Sequence, residues 1–337
     1  MSERYLVTGC AGFIGSKVSE LLLADGHRVV GVDNVNDAYD PRLKRWRLAR
    51  LEQQAEFQFH PLDITDRSAL EGLFAAETRP AGAEPSRPFR AVFNLAARAG
   101  VRPSVENPWV YYQANCEGTL NLLETCRRFG VKKFILASTS SLYGAHNPVP
   151  YREDADTNRP LSPYAASKKA AETLAYTYHH LHGLDVTVFR YFTVYGPAGR
   201  PDMSVFRFVR RIAEGEPIVV FGDGTQKRDF TYVDDIARGT VAGLAPFGYE
   251  VINLGGDRPL RLSAIIDEIA RLVGREPVIE HRPAHPADVS ATWADIQKAR
   301  QRLGWSPEVP VEEGLRRSVR WYRENREAML SVELGDP

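Results

Sequence analysis

Short apolar runs alternate with segments of helical spacing along residues 4–190 of this 337-residue chain. Val, Ile, Leu and Phe dominate most of the runs, which is the pattern of parallel strands covered on both faces. The predicted strands are Arg4–Thr8, Arg28–Asp33, Phe57–His60, Ala91–Leu95, Lys133–Ala137 and Asp185–Arg190. Because helical segments separate these strands, we expect an α/β fold with a Rossmann-type, doubly wound parallel sheet.

The pattern changes after Gly196, where the strands shorten and Pro and Gly become frequent. We therefore expect a Rossmann domain over residues 1–196, to which parts of the later chain can return, and a smaller C-terminal α/β lobe over residues 197–337. The last helix is predicted near Val311–Glu327. The Pro-rich segment Arg79–Pro88 is predicted to be a surface loop.

Composition excludes several classes of protein. Lys and Arg together number 43, as do Asp and Glu, so the chain lacks the net basic charge of many nucleic-acid-binding proteins. No apolar run approaches the ~20 residues of a membrane span, and the polar N-terminus does not fit a signal peptide. The three cysteines suit neither a disulfide framework nor a zinc site. We expect a cytoplasmic protein with no nucleic acid, membrane or metal partner.

A glycine-rich motif, TGCAGFIG, joins the first predicted strand to a helix over Phe13–Ala24. Its glycines, Gly9, Gly12 and Gly15, allow a tight turn and a close backbone approach to a pyrophosphate at the helix N-terminus. The second strand ends at Asp33, where a carboxylate can accept hydrogen bonds from both ribose hydroxyls of an adenosine and repel a 2′-phosphate. These features together predict an NAD site.

A Tyr-x-x-x-Lys pair lies at the start of a second predicted helix, Pro163–His182, which Ser162 caps and Gly183 ends. Tyr164 and Lys168 are four residues apart and share a helix face. A free tyrosine has a pKa of about 10, and a nearby positive charge lowers it. The pair can then remove a proton from a sugar or alcohol hydroxyl beside the NAD site.

Hydroxyl side chains fill positions 138–141, directly after the fifth predicted strand. Because the carboxyl ends of the strands face the cleft in such a sheet, these hydroxyls are candidates to polarise a substrate oxygen. An ordinary Ser/Thr-rich turn is the alternative. A separate basic run, Arg42–Arg50, has helical spacing and predicts a solvated helix face, with a role at the pocket edge as the alternative.

These motifs together resemble the extended short-chain dehydrogenase/reductase family over essentially the whole chain. Within it the chain is most similar to NAD-dependent nucleotide-sugar epimerases, and more narrowly to UDP-glucuronate 4-epimerases. The family likeness rests on TGCAGFIG (8–15), NLAARAGVR (94–102), YQANCEGTLNLLE (112–124), STSSLYG (138–144), YAASK (164–168) and RDFTYVDDI (228–236). The narrower likeness rests on NDAYDPRLKRWRLARL (36–51) and RYFTVYGPAGRPDMS (190–204).

The resemblance implies a set of site residues. Tyr164 would be the catalytic base, Lys168 would bind the nicotinamide ribose, and Thr139 would hydrogen-bond the reacting hydroxyl. The positions that match those around NAD are Gly9, Gly12, Phe13, Ile14, Gly15, Asp33, Asn34, Asp63, Ile64, Leu95, Ala96, Ala97, Asn115, Tyr164 and Lys168. Those that match the nucleotide-diphosphate cradle are Met203, Val219, Phe221, Arg228 and Asp288. Since relatives commonly form dimers, the resemblance also implies a homodimer, which would use the helices near Val105–Arg128 and Pro163–His182 as a four-helix bundle.

The reaction implied by this resemblance is transient oxidation of the sugar at carbon 4. Dehydratase and decarboxylase relatives carry a carboxylate just after the catalytic threonine, whereas this chain has Ser140 and Ser141. Together with Thr193, which replaces the asparagine usual in neutral-hexose epimerases, these serines can donate hydrogen bonds to a sugar carboxylate. Arg98 and Arg200 are further candidates for substrate contact.

We therefore expect 4-epimerisation of UDP-glucuronate to UDP-galacturonate. The alternatives are a UDP-glucose/UDP-galactose 4-epimerase, a UDP-glucuronate decarboxylase and an NAD-binding module without catalysis.

Overall fold

The computed structural model describes residues 2–78, 89–283 and 289–335, so the predicted loop Arg79–Pro88 and Asp288 lie outside the described residues. The strands are β1 Arg4–Thr8, β2 Arg28–Asp33, β3 Phe57–Pro61, β4 Ala91–Asn94, β5 Lys133–Thr139, β6 Asp185–Tyr191, β7 Thr193–Tyr195, β8 Ile218–Phe221, β9 Lys227–Tyr232, β10 Tyr249–Leu254, β11 Pro259–Arg261 and β12 Ile279–Arg282.

Seven of these strands form one parallel sheet in the order β10-β6-β5-β4-β1-β2-β3. The order reverses direction between β1 and β4, which creates the cleft at which ligands bind in open α/β sheets. The predicted Rossmann-type sheet is confirmed. Its outer strand β10 comes from residues after 197 and pairs with β6, so the later chain does return to the main sheet.

Helices cover both faces of this sheet and build the second lobe. They are α1 Phe13–Ala24, α2 Pro41–Leu51, α3 Arg67–Thr78, α4 Val101–Glu106, α5 Trp109–Tyr112, α6 Gly118–Phe129, α7 Pro163–His182, α8 Ser204–Glu214, α9 Val233–Ala242, α10 Leu262–Val273, α11 Gln297–Leu303, α12 Val311–Glu324 and α13 Arg326–Leu330. A π-helical turn, Gln113–Glu117, joins α5 to α6, and a 3₁₀ turn, Ser140–Tyr143, follows β5. None of the helices in the described ranges is long and apolar enough to cross a membrane.

The bounds of α7 follow from local chemistry. Its N-cap Ser162 accepts a hydrogen bond from the backbone N–H of Ala165 at 3.2 Å, and Pro163 occupies the first helical position. Gly183 ends the helix with φ +63°, in the left-handed region that glycine adopts without strain. This placement sets Tyr164 and Lys168 in the first two turns, beside the end of β5.

The second lobe has an apolar core, to which Leu43 of α2 also belongs. Two small sheets, β11-β9-β7 and β12-β8, pack with α8, α10 and α12. The core side chains include Phe206, Ile212, Phe230, Ile266 and Leu315, all of them buried. The lobe lies opposite the carboxyl ends of the strands of the main sheet.

Candidate active site

A cavity of about 430 Å³ lies at the carboxyl ends of the main-sheet strands. Segments that follow β1, β2, β4 and β5 line one side, and residues of the second lobe, including Met203, Arg228 and Thr292, line the other. The cavity therefore lies where the sheet topology predicts a ligand site.

The glycine-rich loop leaves no room for side chains. A Cβ on Gly15 would lie 2.0 Å from the carbonyl oxygen of Gly9, and one on Gly9 would lie 2.7 Å from the amide nitrogen of Ala96. Gly9 also has φ +70°. The loop thus packs backbone against backbone, while the first-turn N–H groups of α1 remain available to an anion. This cradle fits a dinucleotide pyrophosphate.

Two carboxylates line the cofactor end of the cavity. Asp33 accepts hydrogen bonds from the backbone N–H groups of Ala11 at 3.1 Å and Val35 at 2.8 Å, which fixes its orientation. Asp63 accepts a bond from the Asn34 amide at 2.6 Å. An ionised carboxylate at the end of β2 fits the ribose hydroxyls of NAD and repels the 2′-phosphate of NADP.

Tyr164, Thr139 and Lys168 all line the cavity. Burial raises the pKa of the Tyr164 phenol, while a hydrogen bond to Thr139 and the positive charge of Arg200 act in the opposite direction. The Lys168 ammonium donates to the carbonyl oxygen of Ala137 at 2.8 Å. Burial also lowers the pKa of Lys168 to about 8. The cation that lowers the pKa of Tyr164 in the protein alone is therefore Arg200, whereas the sequence pattern pointed to Lys168.

Neutral hydroxyl groups surround the reaction centre. Thr139 donates to Ser141 Oγ at 3.2 Å, and Ser140, Ser141 and Thr193 all line the cavity. Arg200 also lines it, held by a two-point ion pair with Asp202 in which Nε lies 3.0 Å from Oδ1. The arrangement offers several hydrogen-bond donors, and the cation Arg200, to an anionic group beside Tyr164.

Four of the predicted site residues do not line the cavity. The Arg98 guanidinium turns away to Asp37, and the Asn115 amide is bonded to the backbone of Arg98 and to Ser167. Val219 and Phe221 lie on β8, where the guanidinium of Arg102 covers the Phe221 ring at 3.7 Å. Of the other predicted contacts, all but Asp288, which is not described, line the cavity.

The interpretation of Arg42–Arg50 as a solvated face is wrong for two of its residues. Lys44 and Arg47 are buried, at 6% and 3% exposure, because they turn towards the cavity and the glycine-rich loop. Lys44 lines the cavity and donates to Asn36 at 2.7 Å. Tyr39 also lines the cavity and had no sequence signal of its own.

A buried ion pair supports the reaction centre from behind. Glu172, one turn after Lys168, receives two bonds from Arg190, at 3.0 and 2.8 Å, and one from Ser138 at 2.6 Å. Arg190 also donates to the hydroxyl of Tyr143 at 3.1 Å. These bonds tie α7, β5 and β6 together, so that the helix carrying Tyr164 is fixed against the strand carrying Thr139. No cluster of metal-ligating side chains occurs among the described residues.

Known proteins resemble this chain in sequence. The model of the NAD dependent epimerase/dehydratase family matches residues 5–255. A UDP-glucuronate 4-epimerase from Thermodesulfobacterium geofontis (strain OPF15) is 56% identical, over 98% of this chain and 99% of the relative.

Solved structures agree. UDP-glucuronic acid 4-epimerase from Bacillus cereus, in complex with UDP-glucuronic acid and NAD, has a TM-score of 0.87 at 37% identity, over 95% of this chain and 99% of that one. UDP-glucose 4-epimerase from Thermotoga maritima, with UDP-glucose, has a TM-score of 0.85 at 34% identity, over 96% and 99%. The resemblance inferred from the motifs is confirmed. This chain belongs to the NAD-dependent epimerase/dehydratase family.

Proposed function

We propose that this protein catalyses the NAD-dependent 4-epimerisation of UDP-glucuronate to UDP-galacturonate. The observation that carries this proposal is the set of neutral hydroxyls, Thr139, Ser140, Ser141 and Thr193, that shares one cavity with Tyr164. The family, the dinucleotide cradle and relatives that are UDP-glucuronate 4-epimerases all support it.

The two ends of the cavity would bind the cofactor and the substrate, respectively. Gly9, Gly12 and Gly15 would hold the pyrophosphate of NAD, and Asp33 would hold its adenosine ribose. When bound, NAD accepts and returns the electrons of carbon 4, so the overall reaction has no net redox change. Met203 and Arg228 would hold the nucleotide diphosphate of the substrate. In this assignment the cofactor domain is residues 1–196 with β10, and the rest of residues 197–337 forms the sugar-nucleotide lobe.

Proton transfer depends on Tyr164 and on the side chains around it. Tyr164 would remove the proton from the 4-hydroxyl as carbon 4 is oxidised. It would return the proton after the keto sugar has rotated in the cavity, so that its other face is reduced. Thr139 would orient that hydroxyl. Lys168 would bind the nicotinamide ribose, and the positive charge of Arg200 favours the phenolate, which opposes the effect of burial on the pKa of Tyr164.

The positions of the carboxylates in the described part of the cavity favour epimerisation over dehydration and decarboxylation. Among the described residues that line the cavity, the carboxylates are Asp33 and Asp63, both on the cofactor side. Removal of water across carbons 5 and 6 needs an additional acid and base, which hydroxyl groups do not supply. Ser140, Ser141 and Thr193 would instead hold the sugar carboxylate by hydrogen bonds, in an orientation that disfavours loss of carbon dioxide.

The test of this assignment is Tyr164→Phe, with Tyr176→Phe on the same helix as the matched control. Tyr164→Phe should lower kcat for UDP-glucuronate by about 10²–10⁴-fold, the usual contribution of a general base, and leave bound NAD unchanged. Tyr176→Phe, at an exposed position, should keep full turnover. Full turnover of the Tyr164→Phe variant would exclude Tyr164 as the base. A large preference of the wild type for UDP-glucose contradicts the assigned substrate.

The surface of helices α4–α7 supports a homodimer. Large apolar side chains are exposed on α4–α6 and α7: Val105, Trp109, Tyr112, Leu120, Tyr176 and Leu181. Trp109 is 76% exposed, which is costly unless another surface covers it. A second copy that packs these helices into a four-helix bundle would cover them. Sedimentation of the wild type as a dimer and of Trp109→Glu as a monomer is the expected result, and a monomeric wild type contradicts it.

Free cysteines support a cytoplasmic location. Cys10 and Cys126 are buried, Cys116 is half-buried, and all three are thiols, as in a reducing compartment.

A further inference from the structure

Arg47 is a buried cation whose hydrogen-bond partners are all neutral. Its exposure is 3%, and within residues 2–78, 89–283 and 289–335 no carboxylate lies at ion-pair distance from it. The neighbouring Arg45 on α2 is exposed to solvent. Burying a guanidinium without a carboxylate is costly unless its N–H groups are all well bonded. The hydrogen-bond partners of Arg47 therefore show which parts of the structure its burial connects.

The guanidinium joins two loops that are far apart in sequence. On one side Nη1 donates to the carbonyl oxygen of Ala11, in the glycine-rich loop, at 3.1 Å. On the other, Nε and Nη2 donate to the carbonyl of Ala198 at 3.0 and 2.8 Å, and Nη2 donates to Gly199 at 3.2 Å. Ala198 has φ +52°, an unfavourable conformation for a residue with a Cβ. The bonds from Arg47 stabilise it.

Tyr39 completes this connection. Its hydroxyl accepts from Arg47 Nη1 at 2.7 Å, and its ring lies 5.6 Å from the guanidinium carbons of both Arg47 and Arg200. Cations over a tyrosine face are attracted by its ring electrons. Arg200 belongs to the same loop as Ala198, and its charge is the one that lowers the pKa of Tyr164.

We propose that Arg47, acting with Tyr39, is a positioning residue: it fixes the loop of residues 196–203 against the glycine-rich loop and so holds Arg200 beside Tyr164. The expected effects of Arg47 on turnover rest on the proposed function. Its effect on the loop of residues 196–203 does not.

A double-mutant cycle tests whether Arg47 acts through Arg200. Arg47→Met should lower kcat by about 100-fold, the cost of an ångström-scale misplacement, with the matched control Arg45→Met unchanged. Arg47→Met combined with Arg200→Met should be no slower than Arg200→Met alone, within about twofold. Losses that multiply in the double variant overturn the proposal, and so does an equal loss in Arg45→Met.

The pH profile gives a readout that a purely structural role would not change. Because Arg200 lowers the pKa of Tyr164, its misplacement should move the acidic limb of kcat in Arg47→Met to higher pH. Tyr39→Phe, which removes only the hydroxyl, should shift the acidic limb of kcat to higher pH by a smaller amount. This second variant keeps the test possible if Arg47→Met does not fold. An unchanged acidic limb in both variants contradicts the proposal.

Hydrogen exchange followed by mass spectrometry tests the loop independently of turnover. Peptides that cover residues 196–203 should exchange faster in Arg47→Met than in Arg45→Met, with the NAD content of both proteins measured after extraction. Unchanged exchange in this loop overturns the positioning role even if the enzyme is active. If the wild type does not convert UDP-glucuronate, the proposed function fails, and the exchange result still decides the role of Arg47.

Discussion

Glu172→Gln should destabilise the protein severely, because it leaves Arg190 as an unpaired buried charge. The two side chains are only 5% and 4% exposed, and their ion pair includes two N–H···O bonds of 3.0 and 2.8 Å. Breaking one partner of a buried pair costs about 3–5 kcal/mol. At about 2.1 cal/mol/K of unfolding entropy per residue, a chain of 337 residues should lose about 4–7 °C in Tm.

The assay is thermal unfolding followed by circular dichroism, with Glu56→Gln as the matched control. Glu56 forms an ion pair of similar length with Arg28, at 2.6 Å, but both side chains are at least half exposed. Exposed pairs contribute about 0–1 kcal/mol, so this control should lose less than about 2 °C. Replacing both Glu172 and Arg190 with Met should cost less than Glu172→Gln, since no buried charge is left unpaired.

A Tm for Glu172→Gln within about 2 °C of the wild type would refute this reasoning. The same variant should also change the pH dependence of activity. Burial lowers the pKa of Lys168 to about 8, and the Glu172 carboxylate opposes this effect. Loss of that negative charge should lower the pKa of Lys168 further, so the alkaline limb of kcat moves to lower pH.

Three further predictions follow from the cavity. Wild-type kcat should fall as pH rises through about 8, where Lys168 loses its proton, and a flat profile from pH 7 to 10 would contradict the need for its charge. Gly15→Ala should abolish NAD retention, measured by cofactor extraction, because its Cβ would lie 2.0 Å from the Gly9 carbonyl; retention equal to wild type would contradict the cradle. Thr193→Val should lower kcat/KM for UDP-glucuronate relative to UDP-glucose by about tenfold, the value of one hydrogen bond to a charged group; an unchanged ratio would show that Thr193 does not contact the carboxylate.

The main sheet and the helices that carry the site could be predicted because their signals are local. Apolar runs define β1 and β2 with the observed bounds, and Ser162, Pro163 and Gly183 define α7. The glycine-rich loop is also recognisable, since Gly12 and Gly15 are required by contacts within a short segment. Such features depend on neighbours in sequence.

The surroundings of Arg47 could not be predicted for the opposite reason. A basic residue at helical spacing has the same pattern whether it faces water or a backbone carbonyl. The partners that make burial of Arg47 possible, at Ala198 and Gly199, lie about 150 residues away and on another lobe. Arg200 likewise reaches Tyr164 only through the tertiary fold, so its effect on the phenol has no local signal.

Proton NMR of the sugar anomeric signals, with purified protein and UDP-glucuronate, tests the central claim most directly. The account predicts that UDP-galacturonate appears and reaches a stable ratio with UDP-glucuronate, without accumulation of NADH. Formation of a UDP-pentose as the main product would contradict it, because the hydroxyls of Ser140, Ser141 and Thr193 would then have failed to protect the carboxylate of the keto sugar.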